Sequence, residues 1–302
     1  MNLNGILPPV ATPFSVDGEL DLDSLRFNVV RWMRTGLRGL VVLGSNGEAG
    51  YVDEDEAERV IAAAREHVPS DRVLMAGAGH DSTRATVRAC QRAARAGADA
   101  VLIRPPTVFK GQMTSDILMR HYQRIADASP APVFLYNFSA AFGITLTADV
   151  IASLAAHENI IGLKESGGDL AQIAEQLART PSGFIIVVGS APTVYPSFCA
   201  GVTGAVVAAA NVIPESLIAL YDAVAAGDHA RALALQRAIT PLAQAVTSRW
   251  GVPALKSAMT LNGYRGGWPR SPLQPTSHAI EAELANMLAT LRRTEEQLAS
   301  TC

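Results

Sequence analysis

This sequence predicts a (β/α)8 TIM barrel with a C-terminal helical extension, and three observations predict it. Short apolar runs of strand length alternate with longer segments of helical period that carry Ala, Arg and Glu, the rhythm of βαβ units around a parallel sheet. Eight such runs occur, at residues 6–11, 39–43, 73–76, 100–103, 133–136, 160–164, 184–188 and 204–208. They are apolar at nearly every position, as parallel strands buried on both faces require.

The helices between them are placed by their punctuation. Asp21, Asp23 and Ser24 precede a helical run at 25–34, Asp53 to Glu56 precede 57–66, and Asp81, Ser82 and Thr83 precede 84–96. Oxygen-bearing side chains there accept the free N–H groups of a first turn, and their negative charge suits the positive end of the helix dipole. Gly36, Gly97 and Gly227 each follow a helical run, where a left-handed residue ends a helix. The eighth unit finishes near Ala226, so residues 1–226 are read as the barrel. Residues 227–302 are helical in period apart from a Gly- and Pro-rich break at 263–275, and are read as an extension packed on the barrel. A doubly wound open sheet is the alternative, but no G-x-G-x-x-G follows the first strand.

Composition narrows the function. The 302 residues hold 25 Lys and Arg against 28 Asp and Glu, with no basic run, so no nucleic-acid partner is expected. No apolar run approaches the roughly 18 residues that span a bilayer, and the N-terminus lacks the pattern of an export signal. A cytoplasmic protein without a membrane partner is expected. Cys90, Cys199 and Cys302 lie far apart without C-x-x-C spacing, which disfavours a disulfide or zinc framework. Of the six histidines only His80 closely follows a strand, and no H-x-H or H-x-x-x-H occurs, so no metal is expected.

Reactive groups of a barrel gather at the carboxyl ends of its strands. Lys164 ends the sixth strand run, where an apolar barrel mouth disfavours the ammonium and favours a neutral amine able to attack a ketone. The structural alternative is a lysine that extends to solvent or pairs with Glu165. Tyr136 ends the fifth run, one strand earlier, and its phenol could move protons beside that amine, or simply find a carbonyl partner. Gly44-Ser45-Asn46-Gly47-Glu48 follows the second run; its N–H groups and the Ser45 hydroxyl could hold a carboxylate, although the same residues build ordinary turns. Arg104 is a charge ending an apolar fourth strand, placed to pair with an acidic neighbour or to clamp a second carboxylate. The turn at Gly189 and Ser190 has no adjacent cation and is read as structural.

Together these clusters resemble the dihydrodipicolinate synthase and N-acetylneuraminate lyase family of Schiff-base aldolases over nearly the whole chain. The matching segments are Pro9, Thr12, Pro13 and Phe14; residues 44–48; Ala76 to Gly79; Gly97 to Ala100; Leu135-Tyr136-Asn137; Gly162-Leu163-Lys164-Glu165-Ser166; and Ala210-Asn211. Ser45-Asn46, residues 164–169 and the late Gly251 to Lys256 with Pro272 to Gln274 resemble the 4-hydroxy-2-oxoglutarate aldolase branch. The resemblance implies that Lys164 forms an imine with pyruvate, that Tyr136 transfers protons, and that Ser45 and the Asn46 amide hold the keto-acid carboxylate. Gly47, Ser166 and the Val206 carbonyl fall at the substrate. An aldehyde is the second substrate, no cofactor is needed, and a homotetramer built as a dimer of dimers is implied.

Two departures bear on the substrate. Val108 and Phe109 stand where most members of the family place a tyrosine pair that reaches a neighbouring subunit, and Ala141 stands where the synthase branch has a carboxylate-binding arginine. Phe138 and Phe142 add apolar bulk nearby. The expectation is an aldolase acting between pyruvate and an aldehyde, with 4-hydroxy-2-oxoglutarate or a 2-keto-3-deoxy acid as substrate. The alternatives are a dehydratase or hydratase-aldolase using the same lysine, and a barrel that binds a keto acid without turnover.

Overall fold

The computed structural model describes residues 1–300, so Cys302 and the end of the expected extension lie outside the described residues. Eight strands follow in chain order: β1 (Gly5–Leu7), β2 (Gly39–Val42), β3 (Val73–Gly77), β4 (Ala100–Ile103), β5 (Val133–Asn137), β6 (Ile160–Glu165), β7 (Ile185–Val188) and β8 (Gly204–Val206). They form one parallel sheet in which β2 to β8 pair in sequence and β8 returns to pair with β1. The last seam closes through Pro9 and Val41: the Val10 N–H donates to the Val41 carbonyl at 2.8 Å, and the Val41 N–H to the Pro8 carbonyl at 3.0 Å. The sheet is therefore a barrel.

The first strand is shorter than the expected 6–11 because Pro8 and Pro9 have no N–H to offer a ladder. Asn211 takes over their neighbourhood. Its side-chain oxygen accepts the Ala11 N–H at 3.2 Å and its amide donates to the Pro9 carbonyl at 3.0 Å.

The helices are α1 (Leu22–Met33), α2 (Glu54–Arg65), α3 (Thr83–Arg95), α4 (Ser115–Ala128), the single turn α5 (Ser139–Phe142), α6 (Ala148–Leu154), α7 (Leu170–Arg179), α8 (Val194–Cys199), α9 (Pro214–Ala225), α10 (His229–Gln244), α11 (Gly251–Leu261) and α12 (His278–Ser300). The first three start one to three residues earlier than expected, because residues read as flanking a helix, Asp23 and Ser24 in α1, Glu54 to Glu56 in α2 and Thr83 in α3, belong to its own first turn. Asp21 caps α1, Asp53 caps α2 in a reciprocal box with Glu56, and Ser82 caps α3. Asp23 lies inside the first turn of α1 instead of capping it. Gly97 and Gly227 are left-handed, at φ 103° and 76°, but Gly36 is not: Arg34 caps the end of α1 and the Thr35 hydroxyl donates to the Trp32 carbonyl at 2.7 Å.

Strand side chains alternate between two cores. Leu7, Val41, Met75, Leu102, Phe134 and Val187 fill the barrel, while Leu40, Val42, Leu74, Leu135 and Leu163 face the surrounding helices. Gly162 has no side chain because the Phe134 ring occupies that space, forming a floor below the sixth strand's end. Beyond α9, α10 packs on α8 and α9, and α12 packs on α10 and α11. The loop between α11 and α12 returns to the barrel, where Tyr264 stacks on Trp32 and the Trp268 N–H donates to the Phe14 carbonyl at 2.8 Å. No described helix is long and apolar enough to cross a membrane.

Candidate active site

Tyr136 and Lys164 are Cα partners in the β5–β6 ladder, so the sheet itself points both side chains into the barrel mouth. Each is 4 % exposed. The Lys164 Nζ donates to the Tyr136 Oη at 3.4 Å and lies 4.4 Å from the phenol ring centroid. The same Oη is 3.2 Å from the Ser45 Oγ. An amine, a phenol and a hydroxyl from three strand ends thus form one chain of polar contacts in an apolar mouth.

The next pair in that ladder, Asn137 and Glu165, faces outward and fastens the strand ends. The Glu165 carboxylate is buried and accepts from the Asn137 amide at 2.8 Å, the Gln176 amide at 2.7 Å and the Gly167 N–H at 2.8 Å. Glu165 therefore pairs with neutral donors and not with Lys164. Asn137 also bonds Leu146 in both directions, tying the loop after β5 to the strand. Ser166 follows with a buried hydroxyl that makes no hydrogen bond among the described residues. A Cβ at Gly189 would overlap that hydroxyl and crowd the Lys164 stem, so this glycine makes room for both.

Residues 44–48 leave β2 between two left-handed non-glycine residues, Leu43 at φ 56° and Glu48 at φ 55°. Ser45–Gly47 form one 3-10 turn. The N–H groups of Gly47 and Glu48 bond back to Gly44 and Ser45, while those of Ser45 and Asn46 have no acceptor among the described residues. Thr12 supports the turn from the β1 side, its hydroxyl donating to the Gly47 carbonyl at 2.8 Å. Val206 ends β8, opposite Leu7 of β1.

A cavity of about 440 Å³ opens at Ser45 and Tyr136 and runs past Gly77 and Gly79 to the gap between α2 and α3. Arg104 reaches its wall but is engaged, pairing with Asp81 at 3.3 Å and donating to the Pro105 carbonyl at 2.9 Å. Burial works against the Asp81 carboxylate, yet the N–H and hydroxyl of Thr107 and the Arg104 guanidinium hold it well below the usual carboxylate range. Asp81 also accepts the Val108 N–H at 3.1 Å, so this cluster shapes the loop that exposes Val108 and Phe109. His80, on the same wall, is pulled down by burial and by Arg104. Phe138 and Phe142 gather around Tyr136, with ring centroids 6.2 and 5.1 Å from it.

Sequence reasoning found Lys164, Tyr136 and the 44–48 turn, and these do converge. It assigned no role to Glu48 or Lys256. Lys256 is the charged end of an otherwise apolar Val252-Pro253-Ala254-Leu255 stretch, which is the signal that could have marked it. Among the described residues no group of three His, Cys, Asp or Glu could hold a metal ion. Cys90 is buried, its thiol pushed up to about 12 by desolvation, and both Cys90 and Cys199 are free.

Comparison with known proteins agrees with this geometry. The model of the Dihydrodipicolinate synthetase family matches residues 2–291. A 4-hydroxy-tetrahydrodipicolinate synthase of Exiguobacterium sp. is 32% identical over 284 residues, covering 94% of this chain and 96% of the relative. The "Probable 4-hydroxy-2-oxoglutarate aldolase, mitochondrial" of Emericella nidulans is 32% identical over 302 residues, covering 98% and 97%. The crystal structure of YagE from E. coli K12 in complex with pyruvate superposes with a TM-score of 0.89 at 28% identity, covering 96% of this chain and 98% of the other. The chain belongs to the dihydrodipicolinate synthetase family of lysine-dependent lyases and aldolases.

Proposed function

We propose that this enzyme makes or breaks a carbon–carbon bond between pyruvate and an aldehyde through an imine on Lys164. The observation that carries the reading is the buried chain Lys164 Nζ, Tyr136 Oη and Ser45 Oγ, with steps of 3.4 and 3.2 Å. The amine adds to the ketone of a 4-hydroxy-2-keto acid, and Tyr136 passes protons as the carbinolamine loses water. The resulting iminium draws the electron pair of the C3–C4 bond toward nitrogen. The C4 hydroxyl gives up its proton and the aldehyde leaves. The remaining enamine takes a proton at C3, and water releases pyruvate and the free amine.

Ser45 and the Asn46 amide hold the keto-acid carboxylate in this reading, supported by the two N–H groups of the turn that have no acceptor among the described residues. Gly47 lets the turn seat against Val10 and Thr12, Ser166 supplies a hydroxyl near the Lys164 stem, and the Val206 carbonyl faces the imine. Arg104 holds the far wall. A 4-hydroxy-2-oxoglutarate or 2-keto-3-deoxy acid is the leading substrate. Borohydride reduction in the presence of pyruvate, read by intact mass and peptide mapping, is expected to give one adduct on Lys164; no adduct would sink the reading.

The aromatic group of Phe138 and Phe142 around Tyr136 favours a second reading, in which the aldehyde is aromatic or otherwise apolar, as in a hydratase-aldolase. Pyruvate incubated with paired polar and aromatic aldehydes separates the two by product. The proposal includes a homotetramer, for which exposed Val108 and Phe109 offer apolar surface, and light scattering of the purified protein measures it.

A further inference from the structure

Lys256 on α11 and Glu48 on the β2 turn form an ion pair at 2.5 Å, with both side chains 1% exposed. The lysine also donates to the Trp268 carbonyl at 2.7 Å and lies 4.6 Å from the Phe14 ring centroid. The second Glu48 oxygen accepts the Arg270 N–H at 2.8 Å. Both carboxylate oxygens are thus held by the C-terminal extension, and among the described residues neither is bonded by the barrel.

A buried ion pair is a poor device for stability, because removing two charges from water offsets most of their attraction. Burial pulls the Lys256 amine down to about 8 even with Glu48 beside it. The pair needs another reason, and the backbone supplies one. Glu48 sits at φ 55° and ψ 36°, a conformation that residues with a side chain rarely adopt, immediately after the Ser45–Gly47 turn. Loss of its partners frees Glu48 to relax, and the turn relaxes with it.

We propose that Glu48 and Lys256 are positioning residues of the keto-acid site, through which the C-terminal extension holds the 44–48 turn in the shape that aims the Ser45 and Asn46 N–H groups at a carboxylate. The inference rests on the reading that this turn binds the pyruvate carboxylate. Neither residue touches substrate.

The test uses the full chain and pyruvate alone, following exchange of the methyl protons in heavy water by NMR, because enamine formation labels C3 without any aldehyde. Lys256→Met, Glu48→Gln and the double variant are compared with wild type. The double variant leaves no lone charge buried, so it reports on positioning where a single variant fails to fold. The expected result is a half-saturating pyruvate concentration raised about tenfold to a hundredfold, with maximal exchange little changed. Borohydride trapping of acetone, which has no carboxylate, is expected to proceed equally in all four proteins. Unchanged half-saturation in the double variant, or equal losses for acetone and pyruvate, overturns the proposal. So does a wild-type adduct mapping to Lys256. Absence of both exchange and adduct in wild type removes the reading of the site itself, and this inference falls with it.

Discussion

Lys164 and Tyr136 stand on neighbouring strands whose ladder sets them opposite each other, whereas Ser45 and Asn46 stand on a turn whose outer residue is held from the far end of the chain. The first arrangement is local and rigid: a parallel register admits no small slip without turning every side chain to the other face. The second depends on tertiary contacts made by the α11–α12 loop. In the proposed reading, bond chemistry falls to the sheet and grip on the ligand to a loop that distant residues shape.

The largest expected effect tests the strand side of this contrast. Lys164→Ala should lose the borohydride-trapped pyruvate adduct entirely while circular dichroism and thermal melting stay close to wild type; an adduct that persists would reassign the nucleophile. Tyr136→Phe should slow turnover by about 10²- to 10⁴-fold, the usual contribution of a placed acid–base group, with a smaller change in half-saturation. Unaltered turnover would move proton transfer to Ser45 or solvent. Gly189→Ala pushes a methyl group toward the Ser166 hydroxyl and the Lys164 stem. It should cost about 1–3 kcal/mol in urea unfolding and reduce adduct yield; full adduct yield would mean that the lysine stem has freedom the packing denies it.

The smallest effect on the site itself comes from a residue away from both sides of the mouth, which serves as their control. His121 of α4 is buried, with Nδ1 2.9 Å from the Thr83 hydroxyl and Nε2 unpartnered among the described residues. Burial, with a contribution from Arg104, lowers it from 6.5 to about 4. The unfolded chain therefore takes up a proton as pH falls below about 6.5 while the folded chain stays neutral until about 4. The stability His121 contributes above that window is lost within it, by up to about 3 kcal/mol. His121→Gln should flatten this part of the pH–stability curve without altering pyruvate half-saturation at neutral pH. A curve of unchanged slope would assign the acid sensitivity to other groups.

What was legible in the sequence follows the same division. Eight apolar runs and the alternation rule were enough for the barrel, and Lys164 and Tyr136 could be read because each closes a run whose neighbour in sequence is its neighbour in space. Helix starts were misplaced where acids belong to the first turn, as Glu54 to Glu56 do in α2, since periodicity reads apolar positions and is blind to polar ones. A left-handed residue at Gly36 is expected from its place after a helical run, and Thr35 satisfies the helix end instead. Asn211 and the pair Glu48–Lys256 were not legible as partners, because nothing in a linear pattern records which distant side chains a closed barrel and its extension bring together.

The Phe134 ring below Gly162 has a consequence for substrate size. In the proposed reading this ring, packed where a side chain at Gly162 would stand, fills the barrel beneath the reacting ketone. Additional carbons then have the cavity past Gly77 and Gly79 to enter, with Phe142 in its wall, making that side passage the ruler against which longer substrates are measured.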